Sequence, residues 1–236
     1  MTNKRKVLIT GGAGLIGSIM IDKLGDKYEF SSLDLREAKN VLSTVADLDD
    51  LEAITPAFAG IDTVVHLAAD RSPAGSWESI LKNNFIATYN VFEASKRAGV
   101  KRVIFASSNH AEGGYYLDAP WKHVNDGNFD LLEQDNYELI TEKHMIRPDS
   151  YYGVAKAYGE ALGSYYNDFH GLNSFHLRIG WVLETDDPTF SAYALSLWLS
   201  HRDTAQIMDL CISAPDSHRY DIFNATSDNT WKIFDI

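Results

Sequence analysis

One cysteine, a shortage of basic side chains and no long apolar run bound this chain before any motif is considered. A lone Cys211 forms no internal disulfide and no cysteine metal cage, so the expected home is a reducing, cytoplasmic interior. With 33 acidic against 21 basic residues the net charge is -12, which argues against a nucleic-acid grip, since that needs a clustered basic surface to displace counterions. Lys4-Arg5-Lys6 would open a signal peptide if an apolar run followed, but that run breaks at Gly11-Gly12. No apolar stretch of eighteen residues occurs, so no membrane span is expected. Internal repeats, low-complexity tracts and linkers are missing too. What is present is 236 residues, 45% hydrophobic, 23% charged and 12% aromatic, enough apolar material for a substantial core.

Short β-branched runs alternate with helical patterns through the first two-thirds of the chain. Strands are expected at Val7 to Thr10, Tyr28 to Asp34, Thr63 to Leu67, Arg102 to Ala106 and Asn173 to Ile179. Between them the periodicity predicts helices at Leu15 to Leu24, Asp49 to Phe58, Asn84 to Ala98 and Tyr152 to Phe169, with Gly99 and Gly171 as stops. Apolar strands alternating with helices imply an α/β fold, a doubly wound parallel sheet of Rossmann type. Gly113 to Ser150 has no clear period and is expected to form a structured flap, because a structureless loop of that length is uncommon. Beyond Trp181 two helices are expected, around Tyr193 to His201 and Thr204 to Ile212, then a short strand near Tyr220 to Asn224. Residues 1–236 are expected to form a single domain, with about 181–236 contributing a small C-terminal substrate-binding lobe.

The segment Thr10-Gly11-Gly12-Ala13-Gly14-Leu15-Ile16-Gly17 leaves a strand and enters a helix. Gly11 would turn the chain tightly, Gly14 would let backbone amides reach a pyrophosphate at the helix N-terminus, and Gly17 would let helix and sheet pack closely. A glycine string by itself is an ordinary turn; here an acid, Asp34, ends the next strand, and the conjunction points to a dinucleotide. Asp34 stands 17 residues after Gly17, where an acid bonds the ribose hydroxyls of NAD and repels the 2′-phosphate of NADP. The competing reading is a solvated strand-end carboxylate with Arg36 two residues on. Asp47-Leu48 either lines an adenine pocket or is a helix cap followed by a core leucine. His66 ends a buried strand and reads as a packed core histidine; no metal site is expected.

Tyr152-Gly153-Val154-Ala155-Lys156 places a phenol and an ammonium at i and i+4 on one helical face. A nearby cation favours the phenolate, so Tyr152 is expected to act as a general base well below its usual pKa near 10. Phe105-Ala106-Ser107-Ser108-Asn109-His110 puts small polar residues after a strand, where ligands of a doubly wound sheet lie.

From Lys6 to about Ile212 the sequence resembles the extended short-chain dehydrogenase/reductases, the NAD-dependent epimerase/dehydratase family. Thr10 to Gly17 matches its TGxxGxxG motif and Tyr152 to Lys156 its YxxxK motif. The resemblance implies that Ser108 holds the reacting hydroxyl, that Tyr152 is the base with Lys156 as electrostatic partner, and that Asn84 supports the proton relay. Ala87 stands where the family more usually has glycine. It further implies an NAD site including Leu67, Ala68 and Ala69, and a homodimer joined through the helices at Asn84 to Ala98 and Tyr152 to Phe169. A closer likeness is to sugar 1-dehydrogenases, the uronate dehydrogenases and archaeal NAD-dependent glucose-6-phosphate dehydrogenases. The shared strings are Ala106 to His110, Tyr152 to Lys156, Leu177 to Gly180 and Trp198 to Asp203. Such enzymes oxidise the anomeric carbon of a pyranose to a lactone. Two departures stand out: Tyr193 occupies the place of an arginine that holds the substrate anion, and the bulky Trp181 that of a small polar residue. The chain also ends at Ile236, earlier than the subgroup's pattern implies.

The expected function is therefore NAD-dependent oxidation of a sugar, whether uronate, sugar phosphate or aldose. The runner-up is a sugar or sugar-nucleotide epimerase or dehydratase that returns its hydride, and a silent NAD-sensing protein ranks last because the Tyr–Lys pair is intact. Substrate contacts are expected from Arg71, Ser72, Ser108, Asn109, His110, Trp181 and Tyr193. For Arg71 two readings stand level, an anion clamp at the pocket mouth or a surface pair with Asp70 or Glu78. Arg178 suits a structural ion pair.

Overall fold

Apolar runs bounded by turn residues become the strands of one parallel sheet in this computed structural model, which describes residues 4–134 and 136–236. The strands are β1 (Lys6–Thr10), β2 (Glu29–Asp34), β3 (Leu42–Val45), β4 (Thr63–His66), β5 (Arg102–Ser108), β6 (Asn173–Ile179) and β7 (Tyr220–Ala225). Their order is β3-β2-β1-β4-β5-β6-β7, all parallel. Side chains alternate across the sheet. Val7, Ile9, Ile104 and Phe175 enter one core, closed by α1 (Leu15–Leu24) and α8 (His201–Ser213). Leu8, Val64, Val103 and Phe105 enter the other, beneath α4 (Ala87–Ala98) and α6 (Tyr151–His170). Both faces of the sheet are covered, which is why these strands read as continuous apolar runs.

The chain winds outward from β1 in both directions, so the carboxyl ends of β1 and β4 part into a crevice. Two capping devices fix the helices that border it. Ser150 Oγ accepts from Gly153 N at 3.1 Å at the start of α6, and Gly99 and Gly171 end α4 and α6 at φ 72° and 67°.

Several elements differ from the sequence expectation. Strand β3 was not expected, because as an exposed edge it carries no burial pattern. The helix expected over Asp49 to Phe58 is a short α2 (Leu51–Ile54) followed by a 3₁₀ turn at Thr55–Phe58, where Pro56 supplies no N–H. The expected Asn84 start lies inside a wide turn, Leu81–Ile86, that follows α3 (Trp77–Ile80). Between β5 and α6, Gly113–Leu117, α5 (Trp121–Asp126) and Phe129–Leu131 give the flap helical turns. The expected C-terminal lobe is divided. β7 completes the sheet and α8 packs on α1, whereas α7 (Ala192–Leu197) and the last residues join the flap. There Trp121, Val124, Ile140, Leu197, Ile233 and Phe234 form a small separate core. Among the described residues no helix is long and apolar enough to cross a membrane.

Candidate active site

The crevice is a cleft of about 1200 Å³ that runs from the glycine-rich turn, past the ends of β4 and β5, to the flap. It is lined by Gly11, Gly14, Leu15, Ile16, Gly17, Asp34, Asp47 and Leu48 at one end, by Leu67, Ala68, Ala69, Arg71 and Ser72 along the side, and by Ser108, Asn109, His110, Tyr152, Lys156, Trp181 and Tyr193 at the other. Residues scattered over the sequence thus share one wall.

Gly11 sits at φ +76°, and a Cβ there would lie 2.8 Å from Ala68 N, so only glycine lets the turn pass beside the β4 loop. A Cβ on Gly17 would stand 2.6 Å from Gly12 O, inside the turn itself. Gly14 caps α1 without any side-chain hydrogen bond, which leaves the first helix amides open to an anion. At the end of β2, Asp34 Oδ2 accepts from Ala13 N at 3.0 Å, and its other oxygen has no partner among the described residues. Arg36 Nη2 donates to Ala13 O at 3.1 Å. The open amides and the half-used carboxylate fit a dinucleotide.

Asp47 does not cap a helix; Asp50 does, accepting from Ala53 N at 3.0 Å. Asp47 instead pairs with Lys82 at 2.7 Å, and that bond lowers its carboxyl below the usual range. Leu48 is buried in the core, with its carbonyl accepting from Asn90 at 2.8 Å. His66 is fully packed between Thr10 Oγ1 (2.7 Å) and Thr88 Oγ1 (3.2 Å), and burial pushes it down to about 3, so it stays neutral.

Asn84 is buried with both ends of its amide used on one residue, accepting from Asp70 N and donating to Asp70 O, each at 2.9 Å. It pins the loop that carries Arg71 and Ser72. The Asp70 carboxylate is taken by Ser79 Oγ and by Ser72 N, and Arg71 makes no ion pair among the described residues. A surface pair with Asp70 or Glu78 is therefore not formed, and the Arg71 charge instead acts on Tyr152.

Tyr152 is nearly buried and lines the cleft together with Ser108, at the end of β5. The expectation that Lys156 holds this phenol below its ordinary range is corrected here. Burial raises the Tyr152 pKa, against the lowering influence of nearby Ser108 and Arg71, while Asp149 and Asp70 push it further up. Lys156 is buried too, and burial pushes its ammonium down to about 7. Its Nζ donates to Ala106 O at 2.6 Å and lies 5.3 Å from the Tyr152 ring centre.

His110 pairs through Nδ1 with Asp149 at 2.7 Å and meets the Tyr152 ring edge-on at 5.5 Å. A Cβ on Gly153 would strike the His110 carbonyl, so the glycine inside the Tyr152-to-Lys156 motif is what lets α6 approach the turn that follows β5. Asn109 accepts from Ser108 Oγ at 3.2 Å and donates to Tyr116 Oη at 2.9 Å. Asp149, Tyr116 and Phe190 had no signal in the sequence reading, since each arrives from the unpatterned flap or a loop. Among the described residues no group of three His, Cys, Asp or Glu side chains is placed to hold a metal.

The family model described as "NAD dependent epimerase/dehydratase family" matches residues 7–183. L-arabinose 1-dehydrogenase (NAD(P)(+)) of Haloferax volcanii is 36% identical, with 90% of this chain and 85% of that protein covered. The NAD-dependent glucose-6-phosphate dehydrogenase of the same organism is 35% identical, covering 98% and 88%. Among solved structures, uronate dehydrogenase from Agrobacterium tumefaciens superposes with a TM-score of 0.80 at 29% identity, over 98% of this chain and 80% of that one.

Proposed function

The chain belongs to the NAD dependent epimerase/dehydratase family, and on that footing we propose that it oxidises the anomeric carbon of a sugar to a lactone with NAD as acceptor. The observation that carries this reading is that Ser108 and Tyr152 line the same cleft as the uncapped amides of α1. Relatives named for sugar 1-dehydrogenation and for glucose-6-phosphate and uronate oxidation support it. The chemistry supplied by bound NAD is acceptance of the C1 hydride. Ser108 holds the C1 hydroxyl and Tyr152 takes its proton, with Lys156 Nζ 5.3 Å from the Tyr152 ring centre and anchored on Ala106 O. Gly14 and the open α1 amides would hold the pyrophosphate and Asp34 the ribose diol, while Gly11 and Gly17 shape the turn and Asn84 keeps the Arg71 loop in place. A panel of aldoses, uronates and sugar phosphates with NAD, followed by NADH absorbance, tests the proposal. Net NAD consumption by added sugar supports it, and conversion of sugar without NADH accumulation points to an epimerase or dehydratase instead.

Cofactor choice follows from Asp34. NAD should be preferred to NADP, and Asp34→Ala should narrow the ratio of kcat/KM values by about tenfold or more, the scale of a charged hydrogen bond of ~1.5–3 kcal/mol. Equal efficiency with both cofactors in the unaltered protein would remove the assignment. Asp34→Asn, which keeps an oxygen for Ala13 N, separates ribose recognition from the shape of the turn.

Assembly as a homodimer is also proposed. Trp77, Tyr89, Tyr151, Val154, Tyr165 and Phe169 are exposed on α3, α4 and α6, while Phe92 and Tyr166 turn inward. An apolar face of that kind on neighbouring helices is more than a monomer commonly leaves in water. Light scattering at micromolar concentration should give twice the chain mass, and a single-chain mass would remove the idea. The buried, unpaired thiol of Cys211, which burial pushes up to about 12, supports a home in the reducing cytoplasm.

A further inference from the structure

We propose that the sugar this site accepts is uncharged, an aldose laid against an aromatic wall in which Trp181 and Tyr193 line the cleft and Phe190 and Tyr116 back them; the inference rests on the oxidoreductase reading above and specifies its substrate. The wall is assembled from separate segments. Trp181 follows β6, Phe190 lies in the next loop, Tyr193 is on α7, and Tyr116 comes from the flap. Ring centres follow one another at 5.6 Å (Phe190–Trp181), 5.7 Å (Trp181–Tyr193) and 6.0 Å (Tyr193–Tyr116). Trp181 is held by its backbone, donating to Leu197 O at 2.7 Å and accepting from Leu199 N at 3.0 Å, yet 38% of its surface stays open. An indole fixed in place and left half-open at a cleft is a platform for a C–H face, which the negative face of the ring attracts.

The polar groups at this end have the same character. The Asn109 amide links Ser108 to Tyr116, accepting from Ser108 Oγ and donating to Tyr116 Oη. Amide and phenol groups donate and accept, as sugar hydroxyls do, whereas a carboxylate or phosphate only accepts and needs a cation or several donors. No cation stands on the wall. The charge that acts on both Tyr193 and Tyr116 is Asp149, joined at Tyr116 by Glu112. The Arg71 charge reaches Tyr152 but is opposed there by Asp149 and Asp70, and exposed Glu184 adds a further carboxylate to the lining. An anion seated here would give up water for aromatic carbon and face carboxylates, a cost an uncharged polyol escapes.

The test compares an aldose, its uronate and its 6-phosphate as substrates with NAD. The aldose should have the highest kcat/KM, by about tenfold or more, and Trp181→Ala should raise the aldose KM about tenfold while leaving that for NAD unchanged. Tyr193→Arg, which puts a cation on the wall, should shift the aldose-to-uronate ratio about tenfold toward the uronate. A uronate or phosphate preferred by the unaltered protein, and lost in Arg71→Ala, would overturn the proposal in favour of an anion clamp at Arg71. If no sugar reduces NAD, the oxidoreductase reading fails, and calorimetric titration of the NADH-loaded protein judges the wall by itself. Aldose binding that weakens in Trp181→Ala upholds it; tighter uronate binding, or no sugar binding at all, overturns it.

Discussion

Tyr152→Phe should lower turnover by roughly 10²–10⁴-fold, the range expected when a general base is removed, and leave NAD affinity intact. The ring fills a small core with Ile80 and Ala155 and meets His110 edge-on at 5.5 Å, and phenylalanine keeps both contacts. Only the phenolic oxygen, on the cleft shared with Ser108, is lost. The melting temperature should therefore stay nearly unchanged, which separates lost chemistry from lost structure. Because burial raises the Tyr152 pKa and the base form is the deprotonated one, turnover of the unaltered protein should climb with pH through neutrality, and the residual activity of the variant should lack that limb. Near-normal turnover in Tyr152→Phe would make Tyr152 a helix residue and nothing more.

The parts of the site that were legible in the sequence are those in which a local pattern and a chemical role coincide. Gly11, Gly14 and Gly17 are small because the backbone turns and packs there, and Asp34 is polar at the end of an apolar strand. Tyr152 and Lys156 share a helix face. The sheet was legible for a similar reason, since both faces of its central strands are covered. What was missed depends on approach between distant segments. His110 and Asp149 are 39 residues apart, and the four rings of the wall come from three stretches, two of them without period. The helix expected over Tyr193 to His201 stops at Leu197 because Trp198 pairs with Trp181 and Ser200 begins α8, accepting from Asp203 N at 3.0 Å. The electrostatics of Tyr152 and Lys156 were misjudged on the same ground, because spacing shows a neighbour but not the desolvation that outweighs it.

Arg178→Ala should cost the fold more than any other single truncation named here. The guanidinium is buried on β6 and bonds Glu160 of α6 twice, at 3.0 Å and 2.9 Å. Its Nη1 approaches Glu112 Oε1 at 2.7 Å without the alignment of a hydrogen bond, so that pairing is chiefly Coulombic. Ser107, next to Ser108, donates to Glu160 Oε1 at 2.6 Å, which ties the reacting end of β5 into the same cluster. Two buried carboxylates thus depend on one cation. Removing it leaves them uncompensated, a loss of ~3–5 kcal/mol and, at about 2–4 °C per kcal/mol for a chain of this size, a fall of roughly 6–20 °C in Tm. The sign of the pH effect is fixed by Glu112, which burial raises to about 7 although Arg178 opposes it. A carboxyl whose folded pKa is raised favours the fold while protonated, and that contribution is lost as pH rises from its unfolded value through about 7. Without Arg178 the Glu112 carboxyl takes up a proton more readily, so the variant should lose less at pH 5 than at pH 8, roughly two units below and one above neutrality. Thermal melts at the two pH values measure this directly. A small loss that is equal at both would mean that the carboxylates find other partners, and that Arg178 does not hold β5, β6 and α6 together.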